Sequence, residues 1–232
     1  MKIHPTMLAY AVLLGALNIA PGAEPKTDVK DAIKKLGDQP NYSWVSTPKT
    51  EGSQSARRQG SVSGATEKDG FTALTGLIGD TTVEVAAKGE KMAVNYEGVW
   101  LSTAEIGENN RAVQRLKAQK NPVVEAEGLL AKAVNLKKES DGTYAGDMTP
   151  EAAKELFGQL GKRAAEAPEA KGVMSFQVKD GMLTGYQYKV SGKITAGEDK
   201  REVDISRTVT VEIKDISTTK VTLPEEAKKK VS

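Results

Sequence analysis

The sequence contains no cysteine, and its single histidine is His4. Without cysteine there is no disulfide framework and no thiol to accept the lipid that follows the export signal of a bacterial lipoprotein. Beyond residue 23 neither imidazole nor thiolate is left. That removes the usual transition-metal ligands, the Ser-His and Cys-His nucleophile pairs and every histidine general base. Aromatic residues are sparse as well, with two Trp, six Tyr and three Phe. An excess of one charge is missing too: 33 basic side chains stand against 31 acidic ones. No net field draws in nucleic acid or an anionic membrane.

Other motifs are missing in the same way. The chain has no glycine-rich phosphate loop, no dinucleotide fingerprint and no EF-hand spacing. Acidic residues are plentiful, but Glu125-Glu127 and Glu225-Glu226 read as solvated surface, not as two glycosidase carboxylates facing across a cleft. The expectation is a protein that is not an enzyme, with no catalytic residue, no metal site and no cofactor.

One apolar run stands out. Residues 7–20 carry no charge, Lys2 precedes them, and Pro21, Gly22 and Ala23 follow. This is the pattern of a secretory signal peptide over residues 1–23, and the run is shorter than the roughly 20 residues of a bilayer span. Residues 24–232 are then expected to form one soluble domain, exported to the periplasm or beyond. At 38% hydrophobic and 28% charged, the whole sequence has an ordinary globular composition.

The clearest positive signal lies in residues 171–213. Met174, Phe176 and Val178 alternate with polar residues, Asp180-Gly181 supplies a two-residue turn, and Met182, Thr184, Tyr186, Tyr188 and Val190 follow on one face. After a polar turn at 196–200, Val203, Ile205, Val209, Val211 and Ile213 share a face. This predicts an antiparallel meander with one apolar side. A second meander is predicted from turns at Asp69-Gly70, Gly79-Asp80, Lys88-Gly89 and Glu97-Gly98, preceded by a strand carrying Tyr42 and Trp44. Residues 48–59, with Arg57-Arg58, read as a solvated loop.

Helical signals come between. Val29, Ala32, Ile33 and Leu36 repeat at i, i+3, i+4, i+7 behind Asp28, with Gly37 as the stop. Ser102 and Glu105 have capping-box spacing before a helical stretch through 109–119. Asn121-Pro122 restarts a helix with Ala126, Leu129, Leu130 and Ala133 on one side, and Thr149-Pro150 opens another with Ala153, Leu156, Phe157 and Leu160, closed by Gly161. Residues 162–171 read as a polar connector, 143–145 and 221–223 as short strands, and 225–232 as a charged tail that frays. Roughly nine to eleven strands and three or four amphipathic helices follow from this spacing. The predicted fold class is α+β: a curved antiparallel sheet, an incomplete β-barrel, with helices covering its concave face.

The order of these elements, with the stretches KGEKMAVNYEGVWLS, GVMSFQVKDGMLTGYQYKVSGK and STTKVTLPEEAKK, resembles the LolA/LppX-like group of exported bacterial lipid and lipoprotein carriers. The last stretch resembles the strand, proline and short charged helix with which many such chains end. The resemblance implies a half-open barrel whose apolar concave face, closed by helices, shelters acyl chains in transit between membranes; no catalytic residues come with it. This chain departs from lipidated members in lacking the anchoring cysteine.

Two functions stay open at this level. One is a carrier of a hydrophobic small molecule or lipid, or of a lipoprotein, with envelope proteins and the membrane surface as transient partners. Its expected cavity lining is Trp44, Met92, Trp100, Leu130, Phe157, Phe176, Tyr186 and Tyr188, large residues on inferred inward faces. The other is a structural or interaction module of the envelope, its core fully packed and without ligand.

Overall fold

The computed structural model describes residues 24–52, 59–78, 81–107, 121–140, 142–196 and 201–232. The expected signal peptide, Arg57-Arg58, the Gly79-Asp80 turn, the helical stretch 109–119, Asp141 and the turn beyond Ala196 lie outside the described residues.

Eleven strands form a single antiparallel sheet. They are β1 (Asn41–Glu51), β2 (Gln59–Glu67), β3 (Thr72–Ile78), β4 (Thr81–Lys88), β5 (Lys91–Tyr96), β6 (Val99–Ser102), β7 (Ala133–Ser140), β8 (Thr143–Met148), β9 (Ala170–Lys179), β10 (Met182–Ala196) and β11 (Arg201–Lys214). The order across the sheet is β6-β5-β4-β3-β2-β1-β11-β10-β9-β8-β7. Two meanders, β1 to β6 and β7 to β11, are thus joined where β1 pairs with β11. The outermost strands, β6 and β7, do not pair with each other, so the sheet stays an open, incomplete barrel. The turn between β9 and β10 has Asp180 and Gly181 at φ 53° and 70°, the positive pair that matches the right-handed twist of a two-residue hairpin.

Register sets the faces. Ser46, Val211, Tyr186, Phe176 and Tyr144 lie side by side across β1, β11, β10, β9 and β8, and all are buried. The next row on the same side holds Pro48, Val209, Tyr188 and Met174. This is the inner face. One expected assignment fails here: a β-bulge between Leu183 and Gly185 shifts the parity of β10, so that Leu183, fully buried, takes the inward position opposite Val178. Met182 and Thr184 therefore do not continue the row of Tyr186.

Helices α1 (Pro25–Gly37), α2 (Thr103–Ile106), α3 (Pro122–Ala131), α4 (Pro150–Gly158), α5 (Lys162–Ala165) and α6 (Glu225–Val231) complete the described elements. Pro25 at the first position starts α1 three residues before Asp28. Asp28, freed from the expected capping role, accepts a hydrogen bond from Tyr144 Oη at 2.9 Å. Val29, Ala32, Ile33 and Leu36 are each at most 1% exposed, and α1 lies on β9 and β10 beside α3. Asn121 Oδ1 accepts from Val123 N to cap α3, and Thr149 Oγ1 accepts from Ala152 N to cap α4. Helix α4 lies on β9 and β10. Its Phe157 presses on Gly192, where an added Cβ would come 2.8 Å from the ring.

The opposite face is covered at its other end by α6, which packs on β4, β5 and β6. Ala227 and Val231 bury themselves there against Ala86, Ala93, Trp100 and Leu223. The tail predicted to fray is therefore a docked helix: two apolar residues four apart make one sticky side, and Lys230 pairs with Glu105 beneath. Residues 221–223 form no strand, although Leu223 is buried. Other expectations also shift. Residues 48–51 extend β1 along β11 instead of forming loop. Gly161 precedes α5 instead of closing α4, and that short helix interrupts the expected connector. Strand β7 was not foreseen.

Candidate functional site

The eight residues expected to line a cavity divide between the two faces. Trp44, Leu130, Phe157, Phe176, Tyr186 and Tyr188 belong to one continuous apolar cluster on the inner face, with Met92 packed at its margin. Trp100 does not join them. Its partner across β5 and β6 is Asn95, on the same side as Ala93, and it lies under α6 on the outer face. The preceding turn at Glu97-Gly98 sets the parity that turns it outward.

Strands and helices each contribute to the inner cluster. Trp44 comes from β1, Met92 from β5, Phe176 from β9, and Tyr186 and Tyr188 from β10. Leu130 reaches them from α3 and Phe157 from α4. Phe157 and Phe176 have no exposed surface.

A polar strip crosses this apolar field beneath α3, and it was not anticipated. Glu125, read from sequence as solvated surface, projects from α3 toward the sheet. Its Oε2 accepts from Tyr186 Oη at 2.7 Å and its Oε1 from Tyr188 Oη at 3.4 Å. Tyr42 Oη donates to Asn121 Oδ1 at 2.7 Å at the start of the same helix. Burial pushes the Tyr42 hydroxyl up to about 12. Burial, and then the charge of Glu125, raise Tyr186 and Tyr188 above the ordinary tyrosine range. All three phenols are therefore neutral donors at physiological pH.

Arg207 completes the strip. It faces inward from β11 between Ile205 and Val209, opposite Val190 on β10 and Thr50 on β1. Its Nε is buried, with no hydrogen-bond partner. The sequence signal for it was an arginine interrupting the apolar alternation at 203, 205, 209, 211 and 213.

Two open grooves lie elsewhere. One, of about 680 Å³, runs over the outer side of β7 to β10 and is walled by polar residues such as Lys137, Asp147, Gln187 and Lys189. The other, of about 570 Å³, lies between α4 and α5. Neither is an apolar tunnel. Among the described residues no group of three or more His, Cys, Asp and Glu is placed to hold a metal ion, and no helix is long and apolar enough to cross a membrane.

The open antiparallel sheet, with helices on its inner face and a proline and short charged helix at its end, has the curved, incomplete-barrel architecture expected from the order of its elements. Solved structures similar to this chain include LprF from Mycobacterium bovis, at 13% identity over 88% of this chain and 97% of that one, with a TM-score of 0.48. Another is the LolA superfamily protein NE2245 from Nitrosomonas europaea, at 9% identity over 85% of this chain and 94% of that one, with a TM-score of 0.35. No family model and no curated protein matches the chain. The architecture above rests on the chain's own strand order and register.

Proposed function

We propose that the protein binds a hydrophobic ligand, a lipid or an acyl chain, on the inner face of its open sheet, and carries it through the envelope after export. The supporting observation is the gathering of Trp44, Met92, Leu130, Phe157, Phe176, Tyr186 and Tyr188 from separate strands and helices into one apolar cluster under α1, α3 and α4. An open sheet with a helical cover has a seam where these layers can part, which a closed barrel lacks. The ligand reaches the cluster by parting α3 and α4 from the strands. No catalytic step belongs to this reading.

A second reading has its own support. Phe157, Phe176 and Tyr186 are at most 1% exposed, as in the permanent core of an interaction module that holds no ligand. Native mass spectrometry of the exported protein, recovered without detergent and compared with a denatured sample, decides between them. An added mass that is lost on denaturation and recovered as lipid in the organic extract supports the carrier. A bare mass together with no uptake from phospholipid vesicles refutes it and leaves the module.

A further inference from the structure

Arg207 differs from the other cations whose contacts the structure defines. Lys49, Lys68, Lys132, Lys193, Lys214, Lys228 and Lys230 each pair with a carboxylate. Arg207 faces the apolar side of the sheet, and among the described residues no hydrogen bond or ion pair reaches it. Its buried Nε has no acceptor. A buried donor without an acceptor loses its hydration with nothing in return, so an arginine in this position is unfavourable until an acceptor arrives.

The neighbours define what that acceptor looks like. On β11 the same face carries Ile205 and Val209, and Val190 on β10 and Thr50 on β1 lie directly across, so the Arg207 position is flanked by three aliphatic residues and one threonine. Tyr188 sits diagonally, opposite Val209, within the reach of a long side chain. The positive charge of Arg207 is felt there, opposing the rise that burial imposes on the Tyr188 hydroxyl. Glu125 approaches the strip from α3 but is engaged by Tyr186 and Tyr188. A planar fork of N–H donors set in a largely aliphatic row of the inner face matches an oxyanion attached to a hydrocarbon chain.

Building on the carrier reading, we propose that Arg207 receives the anionic head, a carboxylate or phosphate, of an amphiphile whose hydrocarbon lies along Val190, Ile205, Val209 and the inner cluster. Tyr188 lies beside that head. The protein would then select acidic amphiphiles over neutral ones of the same chain length.

The test is calorimetric titration of the purified protein with oleate and with oleyl alcohol, below their aggregation concentrations, and with inorganic phosphate alone. The wild type is expected to prefer oleate. Arg207→Gln is expected to weaken oleate binding about tenfold, the scale of one lost charge-assisted contact, while leaving oleyl alcohol within about twofold. Arg207→Lys, which keeps the charge, should retain part of the preference and guards against a folding defect in the glutamine variant. An oleate-to-alcohol ratio unchanged in Arg207→Gln overturns the proposal while the carrier reading stands. Failure of the wild type to bind either amphiphile overturns both. Phosphate binding as tightly as oleate, and through Arg207, would define a free-anion site and overturn the amphiphile assignment.

Discussion

The indole of Trp44 lies flat across Gly64 on the neighbouring strand: a Cβ placed on that glycine would stand 2.3 Å from Trp44 Cε2. The two residues face each other in the β1–β2 register, and Trp44 is 2% exposed. The glycine is thus the floor on which the largest side chain of the inner cluster rests. Gly64→Ala forces the ring off its seat, and overpacking of this kind costs about 2 kcal/mol. The urea midpoint should fall accordingly with an unchanged slope. A midpoint equal to that of the parent would show that the indole moves aside freely.

The strip of tyrosines makes the fold sensitive to alkali. Tyr42 rises from 10.0 to about 12 in the folded protein, and Tyr186 and Tyr188 are raised as well. Between the unfolded and folded values the unfolded chain has released protons that the folded chain still holds, so stability falls as pH rises. The contribution is whole below pH 10.0 and is lost progressively toward pH 12 and above. Denaturation midpoints measured from pH 8 upward should stay level to about pH 10 and then decline. In Tyr42→Phe, Tyr186→Phe and Tyr188→Phe combined, that decline should flatten; a decline of the same steepness would place its cause elsewhere.

Much of this was legible before the structure, and the exceptions have physical causes. The face of α1 was readable because Val29, Ala32, Ile33 and Leu36 repeat without interruption against a charged background. Tyr186 and Tyr188 were assigned inward correctly because alternation is reliable on their side of the bulge. Met182 and Thr184 were not, since a bulge inserts one residue and inverts parity without a sequence mark beyond Gly185. Strand β7 was hidden by Lys137, Lys138 and Glu139, charges suited to an exposed sheet edge. Glu125 and Arg207 were missed for a different reason. Nothing local tells which acid on α3 turns toward the sheet, and an arginine at an inward position reads as an error in the pattern until the register is known.

The C-terminal helix offers an independent handle, because it holds the outer face and not the inner one. Ala227 is fully buried against Ala86, Ala93 and Trp100. Ala227→Asp places a charge in that small apolar cluster, a cost of about 3 kcal/mol if the helix stays docked. A terminal helix is free to leave, so undocking is the expected outcome. The measurable sign is a red shift of Trp100 fluorescence in a Trp44→Phe background, with far-UV circular dichroism changed only by the loss of one short helix. Unshifted emission would mean that α6 contributes little to the burial of Trp100.

The separation of the two faces also gives the carrier reading its sharpest test. Leu130, on α3, points into the inner cluster, whereas Trp100 lies under α6 on the other side of the sheet. If a fluorescent fatty acid binds on the inner face, Leu130→Arg should weaken its uptake at least about tenfold, since the new guanidinium must be desolvated beside the hydrocarbon. Trp100→Phe, which keeps an aromatic ring under α6, should leave uptake within about twofold. Circular dichroism separates the two meanings of a loss. Intact secondary structure with binding abolished makes the cluster a ligand site; collapse of the fold in Leu130→Arg makes it a core. Loss of uptake in Trp100→Phe with Leu130→Arg unaffected would move the ligand to the outer face, against the geometry of the sheet.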